Sequence, residues 1–132
     1  MLASVLLSSV AVPLAGLSPW TPLQLVMTSV VAAPLAPIYA LFLGSFAANK
    51  VQGFALAKVI GIVLVPCIVA YFVTSPWQIA FGLVPHYWAL KIFWLFDDGA
   101  VGAAIVHAAI GLAWQAAVIA LLMRRFARVV RR

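Results

Sequence analysis

Runs of apolar residues, each about as long as a bilayer is thick, constrain this chain more than any other feature. The last run, residues 100–123, contains no charged side chain. A helix rises about 1.5 Å per residue, so roughly 20 apolar residues cross the hydrocarbon core of a bilayer. Only 8% of the residues are charged and 67% are hydrophobic, whereas soluble domains carry about a quarter charged residues. The sequence therefore predicts an all-α integral membrane protein with a single transmembrane domain over residues 1–132.

Four segments are apolar enough to form transmembrane helices, and we predict spans at about residues 2–17, 23–48, 54–73 and 100–123. The first is short, but it lacks the basic start and the small-residue cleavage motif of a signal peptide, which favours a span. The second contains Pro34 and Pro37, which we expect to kink it. The third contains Lys58 as its only charge, close enough to one end for the ammonium group to reach the interface.

The segment between the third and fourth spans, residues 74–98, is apolar but is broken by Gly82 and Pro85. Neither piece is long enough to cross roughly 30 Å of hydrocarbon as a helix. Ser75 followed by Pro76 is typical of a helix start, with an N-cap and then proline at the first helical position. We therefore predict two short extracellular helices that lie in the interface or re-enter the membrane.

The distribution of charge predicts which way the spans run. If the N-terminus is inside, the inner side holds Lys50, Lys58 and the five arginines of a basic tail at residues 124–132. The outer side then holds Lys91, Asp97 and Asp98, and one of these aspartates is expected to cap the fourth span. This bias follows the positive-inside rule, so both termini are expected to be cytoplasmic. A basic tail directly after an apolar helix indicates contact with anionic membrane lipid rather than nucleic acid.

Side chains needed for most enzyme chemistry are missing. The two acidic residues are adjacent, and no Gly-rich loop ending in Lys-Ser/Thr occurs, so we expect neither catalysis nor ATP binding in this chain. The spans contain no Asp or Glu, which argues against a proton-coupled antiporter. Shared haem or metal ligation by His86 and His107 is not expected, because His86 lies in the broken outer segment. We expect His86 at the interface and His107 hydrogen-bonded between helices.

One face of the fourth span carries its polar residues. His107, Gly111 and Gln115 recur every four residues and so form one stripe of the helix. Polar groups in hydrocarbon must face protein or a cavity, so this stripe lines a translocation path or holds helices together. A second stripe consists of small residues suited to close helix packing: Ala109, Ala113 and Ala117.

Two motifs resemble a known family. The stretch "NKVQGFALAK" at residues 49–58 is similar to the cytoplasmic turn that joins the fourth and fifth of six spans in ABC-2 type permeases of bacterial ABC exporters. The stretch "PWQIAFGLVPHYWALKIFW" at residues 76–94 resembles the extracellular re-entrant helices of the same permeases. The resemblance covers roughly residues 23–126 and is strongest to permeases that export fluoroquinolones or other antibiotics.

The resemblance implies that the four spans correspond to the third to sixth spans of the family. The family's first two spans and its coupling helix have no counterpart, so we expect either a fragment or a half-permease that relies on another subunit. It also implies a subunit in the bacterial inner membrane that forms a homodimer or pairs with a second permease. An ATP-binding cassette subunit would supply ATP hydrolysis, and the substrate moved outward would be amphipathic, a drug or a lipid-like molecule.

The resemblance assigns roles to three groups of residues. A cytoplasmic turn near the ATPase consists of Asn49, Lys50, Gln52 and Gly53; an outer gate consists of Pro85, Tyr87 and Trp88; and a path lining consists of His107, Gly111 and Gln115. Structural alternatives exist for each group. Asn and Gly favour a tight turn because they tolerate left-handed backbone conformations, and Tyr and Trp anchor helices at interfaces. The rival interpretation of the whole chain is a non-transporting scaffold or assembly subunit, or a truncated permease remnant.

Overall fold

The computed structural model describes residues 20–131, and all regular secondary structure within that range is helical. The α-helices are α1 (Pro22–Ala32), α2 (Leu35–Phe46), α3 (Lys50–Val69), α4 (Pro85–Asp97) and α5 (Val101–Val130). Two 3₁₀-helices, Ala70–Phe72 and Pro76–Leu83, lie between α3 and α4.

Three helical stretches in this range are long and apolar enough to cross a membrane, and they are Pro22–Phe46, Lys50–Phe72 and Val101–Val130. They match the predicted second, third and fourth spans, which confirms the all-helical membrane class. The predicted span at residues 2–17 lies outside the described residues. The fourth span does not end at Arg124, because α5 continues through the first part of the basic tail to Val130.

The candidate span that contains the two prolines is interrupted at Ala33 and Pro34, between α1 and α2. Ala33 and Pro34 keep right-handed helical angles, with φ −56° and −66°. The two helices therefore follow one another as a single candidate span. Pro37 is the third residue of α2. The first N–H groups of a helix have no partner within the helix, so the N–H that proline lacks is not missed at this position.

The residues predicted to form a cytoplasmic turn form the start of α3. Asn49 is the N-cap of α3, and its Oδ1 accepts a hydrogen bond from the Gln52 N–H at 2.9 Å. Gln52 Oε1 in turn accepts from the Ala48 N–H at 2.9 Å, which is a variant of the capping box. Asn49 is extended at φ −152°, and Lys50 to Gly53 form the first turn of the helix. The suggestion that Asn49 and Gly53 use left-handed conformations is therefore wrong.

The two aspartates belong to the end of α4 and not to the start of α5. Asp97 is the last residue of α4 and Asp98 is its C-cap. Gly99 follows with φ 73°, and the N–H groups of Gly99 and Ala100 bond back to carbonyls of the last turn at 3.0 and 2.8 Å. This is the Schellman arrangement, which needs glycine at its left-handed position. The prediction that Asp97 or Asp98 caps α5 is wrong, because the N-cap is Ala100 without a side-chain bond.

The core is built around α4, which packs against α5 and α1, while α2 packs against α5. Four residues of α4 are buried: Tyr87, Trp88, Ala89 and Ile92. Helix α3 is different, because Cys67 is its one buried residue. Most of the remaining residues of α3 are apolar and exposed on this chain. Helix α3 therefore lies at the edge of the bundle, and this position leaves cavities beside it.

Replacing Asn49 with alanine is expected to loosen the first turn of α3. Loss of an N-cap bond costs about 1 kcal/mol, so amide hydrogen exchange at residues 51–53 should accelerate about fivefold. Hydrogen-exchange mass spectrometry of the purified protein in detergent measures this change. Asn49→Ser keeps a capping oxygen and serves as the control. Equal protection in Asn49→Ala and the unaltered protein would contradict the capping role.

Candidate functional site

Residues 75–97, in the segment predicted to be extracellular, fold as a hairpin of the Pro76–Leu83 helix and α4. Ser75 is the N-cap, with its Oγ accepting from the Trp77 N–H at 3.4 Å, and Pro76 is the first helical residue, as predicted. The indole Nε1–H of Trp88 donates to the Gly82 carbonyl oxygen at 2.9 Å. This bond closes the hairpin, because it joins the end of the first helix to the first turns of the second.

Trp88 fits between two glycines. A Cβ at Gly111 would lie 2.6 Å from Trp88 Cβ, and a Cβ at Gly82 would lie 2.9 Å from Trp88 Cζ2. Any side chain at Gly111 would therefore push the hairpin away from α5. Trp88, predicted in the outer gate, and Gly111, predicted in the path lining, are thus in direct contact.

Gln115 joins the same two elements one turn further along α5. Its side chain is fully buried, and Nε2 donates to the Pro85 carbonyl oxygen at 3.1 Å. The Oε1 atom has no hydrogen-bond partner among the described residues. Gly111 and Gln115 therefore hold the hairpin onto α5, which corresponds to the helix-packing interpretation of the polar stripe.

The other predicted residues of α5 are placed differently. His107 Nδ1 lies 2.8 Å from the Ala103 carbonyl oxygen of its own helix, so the expected hydrogen bond between helices is wrong. Its ring centroid is 6.4 Å from that of Trp88. The predicted small-residue stripe is exposed on this chain, and the small residues that are buried against α4 are Ala104, Ala108 and Gly111.

Tyr87 is buried in the core, 1% exposed, and its ring packs edge-on against those of Trp88 and Trp94. Burial raises the pKa of the Tyr87 phenol, so its hydroxyl stays protonated at neutral pH. Pro85, Tyr87 and Trp88, the residues predicted to form an outer gate, lie together at the base of the hairpin, with Tyr87 and Trp88 buried. Their role as a gate stays a prediction.

An inner cavity of about 260 Å³ lies between α2, α3, α5 and the start of α4. Its lining is almost wholly apolar: Ile38, Phe42, Val59, Ile60, Val63, Leu83, Pro85, Val118 and Leu122. Tyr39 and His86 supply its polar groups, and the Tyr39 hydroxyl lies within hydrogen-bonding distance of both imidazole nitrogens of His86, Nδ1 at 2.6 Å and, closer still, Nε2. Burial lowers the pKa of His86, which favours the neutral imidazole.

Sequence reasoning missed this pair. His86 was expected at the interface, but it is half-buried and faces a tyrosine 47 positions earlier in the chain. One signal was available, because Tyr39 is the only tyrosine of the predicted second span and follows the two prolines. Nothing in the local pattern indicates that Tyr39 and His86 meet.

The two basic regions lie at the same end of the bundle. The guanidinium carbon of Arg125 is 3.9 Å from the ring centroid of Phe46, and Phe46 is the last residue of α2, three positions before the Asn49 cap. Asn49, Lys50 and Gln52 are exposed there, whereas Gly53 is half-buried. This end therefore offers an exposed, positively charged surface.

Gly111→Ala is expected to destabilise the protein, although alanine usually favours a helix by about 1 kcal/mol over glycine. The added methyl group would overlap Trp88, and overpacking of this kind costs about 1–3 kcal/mol. Gly102→Ala is the matched control, since nothing lies within 4 Å of a Cβ at that position of the same helix. Thermal unfolding in detergent should show a lower melting temperature for Gly111→Ala and an equal or higher one for Gly102→Ala. The reverse order would refute the close contact.

Comparison with known proteins identifies the family of this chain. Residues 1–123 match the family described as Fluoroquinolones export permease protein Rv2686c-like. Two Mycobacterium tuberculosis proteins are similar: Fluoroquinolones export permease protein Rv2686c of strain ATCC 25618 / H37Rv and Fluoroquinolones export permease protein MT2760 of strain CDC 1551 / Oshkosh.

Each relative is 33% identical over 105 residues, which is 78% of this chain and 40% of the relative. The chain therefore spans about 40% of the length of the curated relatives it matches. No solved structure matches it. The family match covers nearly the whole chain and agrees with the apolar helices, so the protein belongs to the Rv2686c-like fluoroquinolones export permease family.

Proposed function

We propose that this chain is a membrane-embedded permease component of an ABC-type exporter that moves an amphipathic substrate outward across the bacterial plasma membrane. The observation that carries the proposal is the family match over residues 1–123. The relatives are named for fluoroquinolone export, and a fluoroquinolone is accordingly the first substrate to test. The three apolar helices supply the membrane domain that such a role requires.

The energy for transport would come from a separate ATP-binding cassette subunit, since the sequence contains no phosphate-binding loop. The exposed end formed by Asn49, Lys50 and Gln52 is the proposed contact surface for that subunit. Its positive charge favours a cytoplasmic location, which would put both termini inside and the hairpin outside. A second permease copy, or a different permease, would complete the membrane part of the exporter.

The inner cavity is the proposed substrate-binding site. A largely apolar wall with one hydrogen-bonding pair suits a molecule with an apolar body and few polar groups. Such a substrate would replace the Tyr39–His86 hydrogen bond with its own bonds to the same two side chains. An unpaired polar group in an apolar cavity is costly, so a purely apolar molecule would bind less well.

The hairpin is the proposed outer closure of this cavity. Leu83, Pro85 and His86 belong to the hairpin and also line the cavity, so a movement of the hairpin relative to α5 would open it. The contact between Trp88 and Gly111 would hold the closed state. Separation of this contact would then be one step of export, driven by the ATPase on the opposite side of the membrane.

The proposal predicts a change in drug accumulation. Deletion of the gene should raise the cellular accumulation of a fluoroquinolone, and His86→Ala or Tyr39→Phe should restore export only partly when reintroduced. Gly102→Ala, which changes a residue with no neighbour at its Cβ, should restore export fully. Immunoblots of the membrane fraction check that the variants are present at equal levels.

The same strains test the rival function. Affinity purification from membranes should retrieve a nucleotide-binding subunit if the chain is an exporter component. Unchanged accumulation in the deletion strain, together with purification that retrieves no nucleotide-binding protein, would refute the exporter proposal and favour a non-transporting scaffold.

A further inference from the structure

A second cavity, of about 310 Å³, lies at the outer end of the bundle between the end of α3 and the second half of α4. Four aromatic residues line it, and they are Tyr71, Phe72, Phe93 and Trp94. The carboxylate of Asp97 also belongs to the lining. None of these residues contributes to the inner cavity.

The aromatic rings stand at steep angles to one another. The Tyr71 centroid is 5.2 Å from that of Trp94 with an interplanar angle of 61°, and 5.4 Å from that of Phe72 with an angle of 84°. Phe93 is held by Trp20 at 5.0 Å and 79°. Rings that are not parallel present several faces and edges around one space. Rings arranged in this way can surround a bound molecule, whereas parallel stacked rings cannot.

A hydrogen-bonded chain fixes the position of the two walls. Gln78 Nε2 donates to the Ala70 carbonyl oxygen at 2.7 Å, and Lys91 Nζ donates to Gln78 Oε1 at 2.7 Å. These two bonds connect the 3₁₀-helix that carries Tyr71 and Phe72 to α4 by way of the Gln78 side chain. The cavity is therefore formed by elements that are bonded to each other.

Asp97 is not required by the fold. The end of α4 is closed by backbone bonds and Gly99, and Asp98 is the C-cap. A carboxylate at a helix C-terminus faces the negative end of the helix dipole, which is unfavourable. Lys91 is bonded to Gln78 instead, and among residues 20–131 Asp97 has no ion-pair partner. The cavity therefore carries uncompensated negative charge beside aromatic rings.

We propose that this outer cavity binds an organic cation, a quaternary or protonated tertiary ammonium group attached to an apolar body. Aromatic faces attract ammonium groups through their quadrupole. The Asp97 carboxylate adds charge attraction, and the remaining walls, Ile68 and Leu90, accept the apolar body. The proposal concerns binding alone and stands independently of export, since it needs no ATPase and no transported substrate.

Such an ammonium group has two possible sources, a choline-type lipid headgroup or a free amphipathic amine. Both present the same chemistry to the cavity. The experiment therefore begins with a soluble probe and then uses short-chain lipids as competitors.

The test is calorimetric titration of the purified full chain in a neutral detergent with hexyltrimethylammonium. Hexanesulfonate, with the same chain length and the opposite charge, is the comparison ligand. Saturable binding of the cation is expected, without binding of the anion. Asp97→Asn should weaken the affinity about threefold to fivefold, the size of an exposed ion pair. Trp94→Leu should weaken it by a similar factor through loss of cation–π attraction.

Asp98→Asn is the matched control, because Asp98 is the neighbouring carboxylate and does not line the cavity. It should leave the affinity unchanged. Equal weakening by Asp97→Asn and Asp98→Asn would overturn the proposal in favour of a general surface-charge effect, as would equal binding of hexanesulfonate. Asn is isosteric with Asp, and unchanged circular dichroism confirms that each variant is folded.

Competition then identifies the source. Dihexanoyl phosphatidylcholine should displace the probe if the occupant is a lipid headgroup, whereas dihexanoyl phosphatidylglycerol should not. If neither lipid displaces a saturably bound probe, the site is assigned to free amines. Displacement by phosphatidylglycerol as efficient as by phosphatidylcholine would contradict recognition of the ammonium group.

Discussion

The contact of Trp88 with Gly111 sets the arrangement of the rest of the bundle. Apolar helices gain little from burying side chains away from lipid, so their association depends on close packing and hydrogen bonds. Gly111 lets the Trp88 side chain pack against α5 more closely than any residue with a Cβ would permit, since that Cβ would lie 2.6 Å from Trp88 Cβ. The Trp88–Gly82 and Gln115–Pro85 hydrogen bonds then fix the hairpin in that position. Everything that lines either cavity from α4 is placed by these contacts.

Both cavities follow from the position of α4 next to α5 and from the loose position of α3. The start of α4 lines the inner cavity, and the second half of the same helix lines the outer cavity. Helix α3 contributes a wall to each but buries one residue, Cys67. A helix with so little packing on this chain gives the bundle room to change shape. It also leaves an apolar surface of α3 exposed on this chain.

Much of this fold could be predicted from the sequence, because length and hydropathy determine which segments cross a bilayer. The helix start at Ser75 and the interruption at Pro34 were also readable, since proline and capping residues act locally. The stripe of Ala109, Ala113 and Ala117 misled the prediction for a physical reason. On a helix that is apolar all round, small residues occur on several faces, and no polar face marks the side exposed to lipid.

The candidate site was less predictable because it depends on contacts between distant segments. His107, Gly111 and Gln115 do lie along one stripe, but two of them hold the hairpin, and His107 bonds within its own helix. Asn49 and Gln52 were assigned to a turn, although their spacing is that of a capping box. The pairing of Tyr39 with His86 arises only when the hairpin has packed against α5. The packing of the hairpin is thus the step that creates the site.

A disulfide between the hairpin and α5 would show directly whether the hairpin must move away from α5 during the proposed export. In a Cys67→Ala background, Trp88→Cys and Gly111→Cys are expected to cross-link on oxidation, since the two Cβ positions are nearly in contact and need to separate by about 1 Å for good geometry. The measurement is fluoroquinolone efflux from cells that carry this variant, before and after reduction. Efflux should be lower while the disulfide is intact than after its reduction in the same variant. Absence of the cross-link, or efflux that is unaffected by it, would contradict the hairpin as the outer closure of the transport path.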